Sequence, residues 1–144
     1  MNHLVILFLS SLVFINAQVY NGYTLFTPMS AFDDNATTYL MNNDYEFLNT
    51  WTHDQGPASM PYLLTDGSII YPYRVPFPTM SAGGVGGGIQ KQSWDGEILW
   101  EYEFANEQYQ HHHDVEPLPS GNILLDRKSV VEGKRVDPGG PRTI

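Results

Sequence analysis

The residues best suited to chemistry stand together. His111-His112-His113-Asp114-Val115-Glu116 places three imidazoles and two carboxylates within six residues. Tyr109-Gln110 leads in, and Pro117-Leu118-Pro119-Ser120-Gly121-Asn122-Ile123-Leu124-Leu125 follows as a turn and a short apolar strand. Imidazole works near neutral pH as a base, a nucleophile, a metal ligand or an N–H donor to an anion. On a regular strand adjacent side chains point to opposite faces, so only His111 and His113 would converge. Two imidazoles are too few for a metal, and no metal site is assigned. Two active readings remain. In one, an imidazole faces a cavity while Asp114 or Glu116 fixes its tautomer. In the other, imidazole N–H groups bind the oxygens of sulfate or phosphate. The plain alternative is a polar loop whose histidines bond backbone carbonyls. Arg74, in Tyr71-Pro72-Tyr73-Arg74-Val75-Pro76, is one of two basic residues before position 126, the other being Lys91. A guanidinium in so acidic a stretch suits an anionic substrate group, and its ordinary alternative is a surface ion pair.

These side chains need a scaffold, and composition points to strands. The 144 residues suit one modest domain; 13% are aromatic, with 13 Gly, 10 Pro and no Cys. Aromatics punctuated by Gly and Pro suit an all-β chain with many turns, and without Cys there is neither a disulfide frame nor a thiolate metal site. The net charge of −9 argues against binding nucleic acid through its phosphates. Residues 1–17 read as a signal peptide: Leu4–Phe14 is apolar apart from Ser10 and Ser11, and Ala17 is a cleavage residue of the right size. The apolar run is too short for a membrane helix, so no stable membrane anchor is expected.

A repeat organises the rest. Strands are expected at Thr38–Met41, Tyr45–Trp51, Tyr62–Leu64 and Ser68–Tyr71, and again at Gly88–Lys91, Glu97–Phe104, Val115–Leu118 and Asn122–Leu125. Asp44, Glu46, Phe47 and Leu48 align with Asp95, Glu97, Ile98 and Leu99 at an offset of 51, and Leu64 and Gly67 align with Leu118 and Gly121 at 54. A four-strand unit recurring at about 50 residues is the pattern of a β-propeller blade; two unrelated hairpin pairs of a β-sandwich are the alternative. Asp-Gly and Ser-Gly supply the positive φ of tight hairpins, so these glycines are structural. Ser81–Gly88 lacks the Gly-Lys-Ser/Thr ending of a phosphate loop and reads as a crossover between blades. Residues 52–61 and 105–114 read as long loops within a blade, the places where a propeller keeps its function. Trp51, Trp94 and Trp100 fall on or beside repeated strands and read as packing between blades.

The charge pattern breaks at residue 126. Residues 1–125 hold 13 acidic and 2 basic residues, whereas residues 126–144 hold 3 and 5. Asp126-Arg127-Lys128-Ser129-Val130-Val131 is one-frame translation of the sequencing-adapter string GATCGGAAGAGCGTCGTG. The expectation is that residues 126–144 are a non-native tail and that residues 18–125 are two N-terminal blades of a longer protein.

Residues 22–125 resemble the aryl-sulfate sulfotransferase family of secreted and periplasmic β-propellers. The likeness runs from Gly22–Met29 through Thr38–Leu40 and Tyr62–Ile70, and is densest in Gly86–Gln90, Trp94–Tyr102 and His112-His113-Asp114-Val115-Glu116-Pro117-Leu118-Pro119-Ser120-Gly121-Asn122-Ile123-Leu124-Leu125. The resemblance implies a six-bladed propeller, here truncated, that moves a sulfuryl group from an aryl sulfate to a phenol by a ping-pong route through a sulfohistidine, with no cofactor. Its motif carries over onto His113, His112 and Asp114 as catalytic-site residues, while Arg74 and His111 are expected from their own chemistry to bind substrate. The family's nucleophilic histidine belongs to a later blade, so a fragment of two blades is expected to be inactive. A non-enzymatic envelope scaffold and a quinone-dependent dehydrogenase are the rival functions.

Overall fold

The computed structural model describes residues 20–29, 35–80, 83–129 and the backbone of 142–143. The signal peptide expected at 1–17 lies outside these residues. Among them there is no helix, only antiparallel strands. β1 (Thr24–Phe26), β2 (Ala36–Met41) and β3 (Phe47–His53) form one sheet. β4 (Tyr62–Leu63), β5 (Ile69–Arg74), β6 (Gly87–Gln92) and β7 (Ile98–Glu103) form a second. β8 (Tyr109–Pro117), β9 (Ile123–Ser129) and β10 (Arg142–Thr143) form a third. The all-β expectation holds.

Four hairpins repeat one geometry. In each, the N–H of a residue at position i donates to the carbonyl at i+4, and the N–H at i+3 donates back to the carbonyl at i. Residue i is Asn42, Leu64, Ser93 or Leu118. This is a three-residue loop closing on a residue in the left-handed region. Gly67, Gly96 and Gly121 fill that position with φ of 82°, 86° and 86°, but the first hairpin places Tyr45 there at 64°. A side chain at positive φ is strained by about 1–2 kcal/mol. Tyr45 is 80% exposed, so its ring contributes little packing. Tyr45→Gly is therefore expected to raise stability by about 1 kcal/mol after the entropy cost of glycine in the unfolded chain. A higher urea midpoint with an unchanged slope checks this, and a lower midpoint would refute it.

The repeat is real in the backbone, but its phase differs from the expectation. The unit expected from residues 38–71 is divided between two sheets: β2–β3 belong to the first and β4–β5 to the second. The glycine-rich segment does not cross between sheets. It joins β5 to β6 as neighbours in one sheet, with Tyr73 opposite Gly88 and Arg74 opposite Gly87. A side chain at residue 88 would overlap the Tyr73 ring, so the glycine is demanded by close packing. Residues 54–61 and 104–108, in turn, lead from one sheet to the next.

The second sheet is covered on both faces because successive β5 side chains point opposite ways. Ile69 packs with Leu40, Trp51 and Leu25 of the first sheet. Ile70 packs with Ile89 and with Val115, Ile123 and Leu125 of the third. Tyr71, Tyr73 and Val75 form a further cluster with Ala36 and Ala105. The arrangement is a stack of three sheets with apolar layers between them.

Candidate functional site

The histidine cluster lies within β8 rather than in a loop. His111 opposes Arg127 of β9, yet Val115 opposes Leu125, so β8 carries two extra residues between these pairs. Such a bulge breaks the alternation of a strand and re-aims its side chains. His113 takes up the local twist with φ of 63°. The same bulge occurs one repeat earlier, where Pro57 opposes Tyr73 and Tyr62 opposes Ile70.

The bulge overturns the expected pairing of His111 with His113. His111 and His112 are both buried, and His113 is exposed. The rings in contact are His112 and His113, edge to face with centroids 3.9 Å apart. His111 Nδ1 accepts from the Gly87 N–H at 3.1 Å, so its Nε2–H donates to the Asp114 carbonyl at 3.3 Å. Both nitrogens are spent on backbone, and burial lowers its pKa. His111 is a structural pin between β8 and the start of β6 and offers no nitrogen to a substrate.

His112 Nε2 lies 2.8 Å from the Gly83 carbonyl. A carbonyl only accepts, so Nε2 carries the proton and Nδ1 the lone pair. That lone pair is buried and has no hydrogen-bond partner among the described residues. Burial is the main cause lowering the His112 pKa, and neighbouring His113 and Lys128 act in the same direction. The Lys128 ammonium also lies 2.9 Å from Nε2, although a nitrogen already donating to Gly83 cannot accept from it. Lys128 belongs to the stretch expected to be non-native. The His113 N–H donates to the Gly84 carbonyl at 2.7 Å, and the ring lies over Gly84 so closely that a side chain there would overlap it. Neither ring nitrogen of His113 has a hydrogen-bond partner among the described residues.

Asp114 does not orient a histidine through its carboxylate. Oδ1 accepts from Ser59 Oγ at 2.7 Å and from the Val115 N–H at 2.9 Å, while Oδ2 accepts from the Tyr62 hydroxyl at 2.9 Å. Burial, aided by the hydrogen bond to Asp114, pushes the Tyr62 pKa up to about 12. Neither Ser59 nor Tyr62 is among the site residues expected from the sequence. The offset of 54 was the available signal, because it sets Ser59 at the bulge position of His113. The two successive bulges therefore meet, joined by Ser59–Asp114–Tyr62. Arg74 closes β5, where its N–H donates to the Gly56 carbonyl at 2.9 Å. Glu116 is exposed on β8 opposite Leu124. Among the described residues no group of three or more His, Asp or Glu is placed to hold a metal ion.

A second polar cluster lies between the first two sheets. His53 Nε2 bonds Thr38 Oγ1 at 2.8 Å, and its ring stacks on Tyr71 with centroids 3.5 Å apart. Burial lowers its pKa to about 4, partly offset by the nearby Gln90 side chain. His53 Nδ1 is buried and has no hydrogen-bond partner among the described residues. Trp51 and Trp94 meet edge to face between the same sheets, whereas Trp100 is exposed.

No protein-family model matches the chain, and no curated protein matches it.

Proposed function

We propose that this chain is the N-terminal part of an exported, secreted or periplasmic, six-bladed β-propeller that transfers a sulfuryl group from an aryl sulfate to a phenol. The observation that carries the reading is the meeting of the bulges of two successive sheets. It sets exposed His113 against His112 at the side where the sheets' first strands adjoin. In a propeller that side is the funnel, where loops and inner strands face the substrate. His113 offers ring nitrogens to sulfuryl oxygens, and the His112 ring backs it. Arg74 remains a proposed anion ligand, while Asp114 shapes the bulge rather than acting on substrate. In the ping-pong route, a histidine nitrogen takes the sulfuryl group as the S–O bond to the first phenolate breaks. The acceptor phenolate oxygen then displaces that nitrogen at sulfur. A binding or scaffold propeller is the second reading, favoured by the commitment of the Asp114 carboxylate to Ser59 and Tyr62 instead of an imidazole.

The test uses the full-length parent with 4-nitrophenyl sulfate and phenol, following nitrophenolate. His113→Ala is expected to lower kcat/KM by about 100-fold, the scale of losing one donor to a developing anion. A parent that releases no nitrophenolate, or a variant as active as the parent, would defeat the assignment.

A further inference from the structure

The interface between the first and second sheets shows how this repeat closes a gap between neighbours. The tip of the β6–β7 hairpin, Ser93-Trp94, lies across the first sheet. Trp51 Nε1 donates to the Ser93 carbonyl at 2.8 Å, and Asn49 Nδ2 donates to the Trp94 carbonyl at 2.6 Å. The Trp94 ring covers Gly67, where a Cβ would sit 3.5 Å from it.

One repeat on, the same positions form an open groove. The offset of 51 turns Asn49 and Trp51 into Trp100 and Tyr102, and the offset of 54 turns Gly67 and Ile69 into Gly121 and Ile123. Trp100, Tyr102, Gly121 and Ile123, with Ile89 and Glu101, line a groove of about 350 Å³. Trp100 is 39% and Tyr102 43% exposed. The indole N–H and the phenol O–H have no hydrogen-bond partner among the described residues. They stand at the repeat positions from which Asn49 and Trp51 donate to a hairpin tip. A Cβ on Gly121 would meet nothing within 4 Å.

We infer that this groove is the seat of a further β-hairpin of the same repeat, carrying a tryptophan at its tip. The indole lies over Gly121, and Trp100 and Tyr102 donate to the backbone carbonyls of the tip. The occupant is defined by the chain itself, since the polar-Trp-Asp-Gly turn of residues 93–96 already fills the equivalent place. The inference rests on the repeat and the sheet stack, not on sulfuryl transfer. Failure of the nitrophenolate assay would leave it standing, and its own failure would not touch that assay.

The test titrates the isotope-labelled full chain with a synthetic peptide of residues 87–103, the protein's own hairpin, at about 0.15 M salt to screen acidic repulsion. Saturable shifts are expected at the Trp100 indole N–H and at the amides of residues 121–123. A Trp94→Ala peptide should bind at least tenfold more weakly. Tyr102→Lys and Trp100→Glu proteins, changed at exposed positions, should show the same loss. No saturable shift up to millimolar peptide would overturn the inference. So would equal binding by the Trp94→Ala peptide, or shifts confined to the outer face of β1–β3.

Discussion

Trp51→Ala is expected to cost about 4 kcal/mol of stability, within the range for deleting a buried large aromatic side chain. Trp51 is fully buried, packs with Leu40 and Ile69, and meets Trp94 edge to face with centroids 5.6 Å apart. Three losses combine. The cavity forfeits contacts on both sheets, the aromatic pair is broken, and the Ser93 carbonyl loses the indole donor. Trp51→Phe separates them, because it keeps most of the volume and loses only the hydrogen bond and some area. It should retain more than half of the stability lost in the alanine variant. Urea unfolding of both variants measures this, and an alanine variant within 1 kcal/mol of the parent would show that the first two sheets do not depend on each other.

Acid is expected to weaken the fold in a defined window. His53 is held neutral, with its pKa lowered by burial from 6.5 to about 4. Between these values the unfolded chain binds a proton that the folded chain refuses. Its contribution is fully present above pH 6.5, falls as pH falls, and is exhausted below about 4, amounting to about 3 kcal/mol. His111 shifts in the same direction and for the same first cause. Asp66 acts elsewhere. The Ser68 hydroxyl and N–H, and then Lys91, lower its pKa from 3.8 to about 2, so its contribution is lost only below pH 3.8. Urea midpoints at pH 7, 5.5 and 4.5 should fall in that order. His53→Gln, which keeps a polar partner for Thr38, should show a shallower fall. An unchanged slope in that variant would remove His53 from the account.

Local geometry was legible in the sequence wherever a residue type has few alternatives. Asp66-Gly67, Asp95-Gly96 and Ser120-Gly121 announced hairpins because glycine alone takes positive φ without strain. The gap between the strands expected at Thr38–Met41 and Tyr45–Trp51 implied the fourth, but nothing marked Tyr45 as the strained residue. The offsets of 51 and 54 placed equivalent hairpins correctly. They could not say which hairpins share a sheet, since a period carries no phase; that depends on β5 meeting β6 across twelve residues, at a point where only glycine clears the Tyr73 ring. The site was misread for a related reason. Alternation predicted that His111 and His113 would share a face, and the two-residue bulge inside β8 reversed it. The bulge also sent the Asp114 carboxylate to Ser59 and Tyr62, residues more than fifty positions away, which no local pattern announces.

The identical three-residue hairpins also set an order of events in time. Each brings its strands together across a short stretch of chain, so each can form on its own within roughly 1–10 μs. The β5–β6 pairing must close a longer loop before any contact rewards it, and loop entropy makes such closure later and slower. The chain should therefore collapse as a row of preformed hairpins, of which β4–β5 and β6–β7 zip edge to edge while the others stack against them. The glycine-rich join, where Tyr73 settles over Gly88, is the step that commits the central sheet.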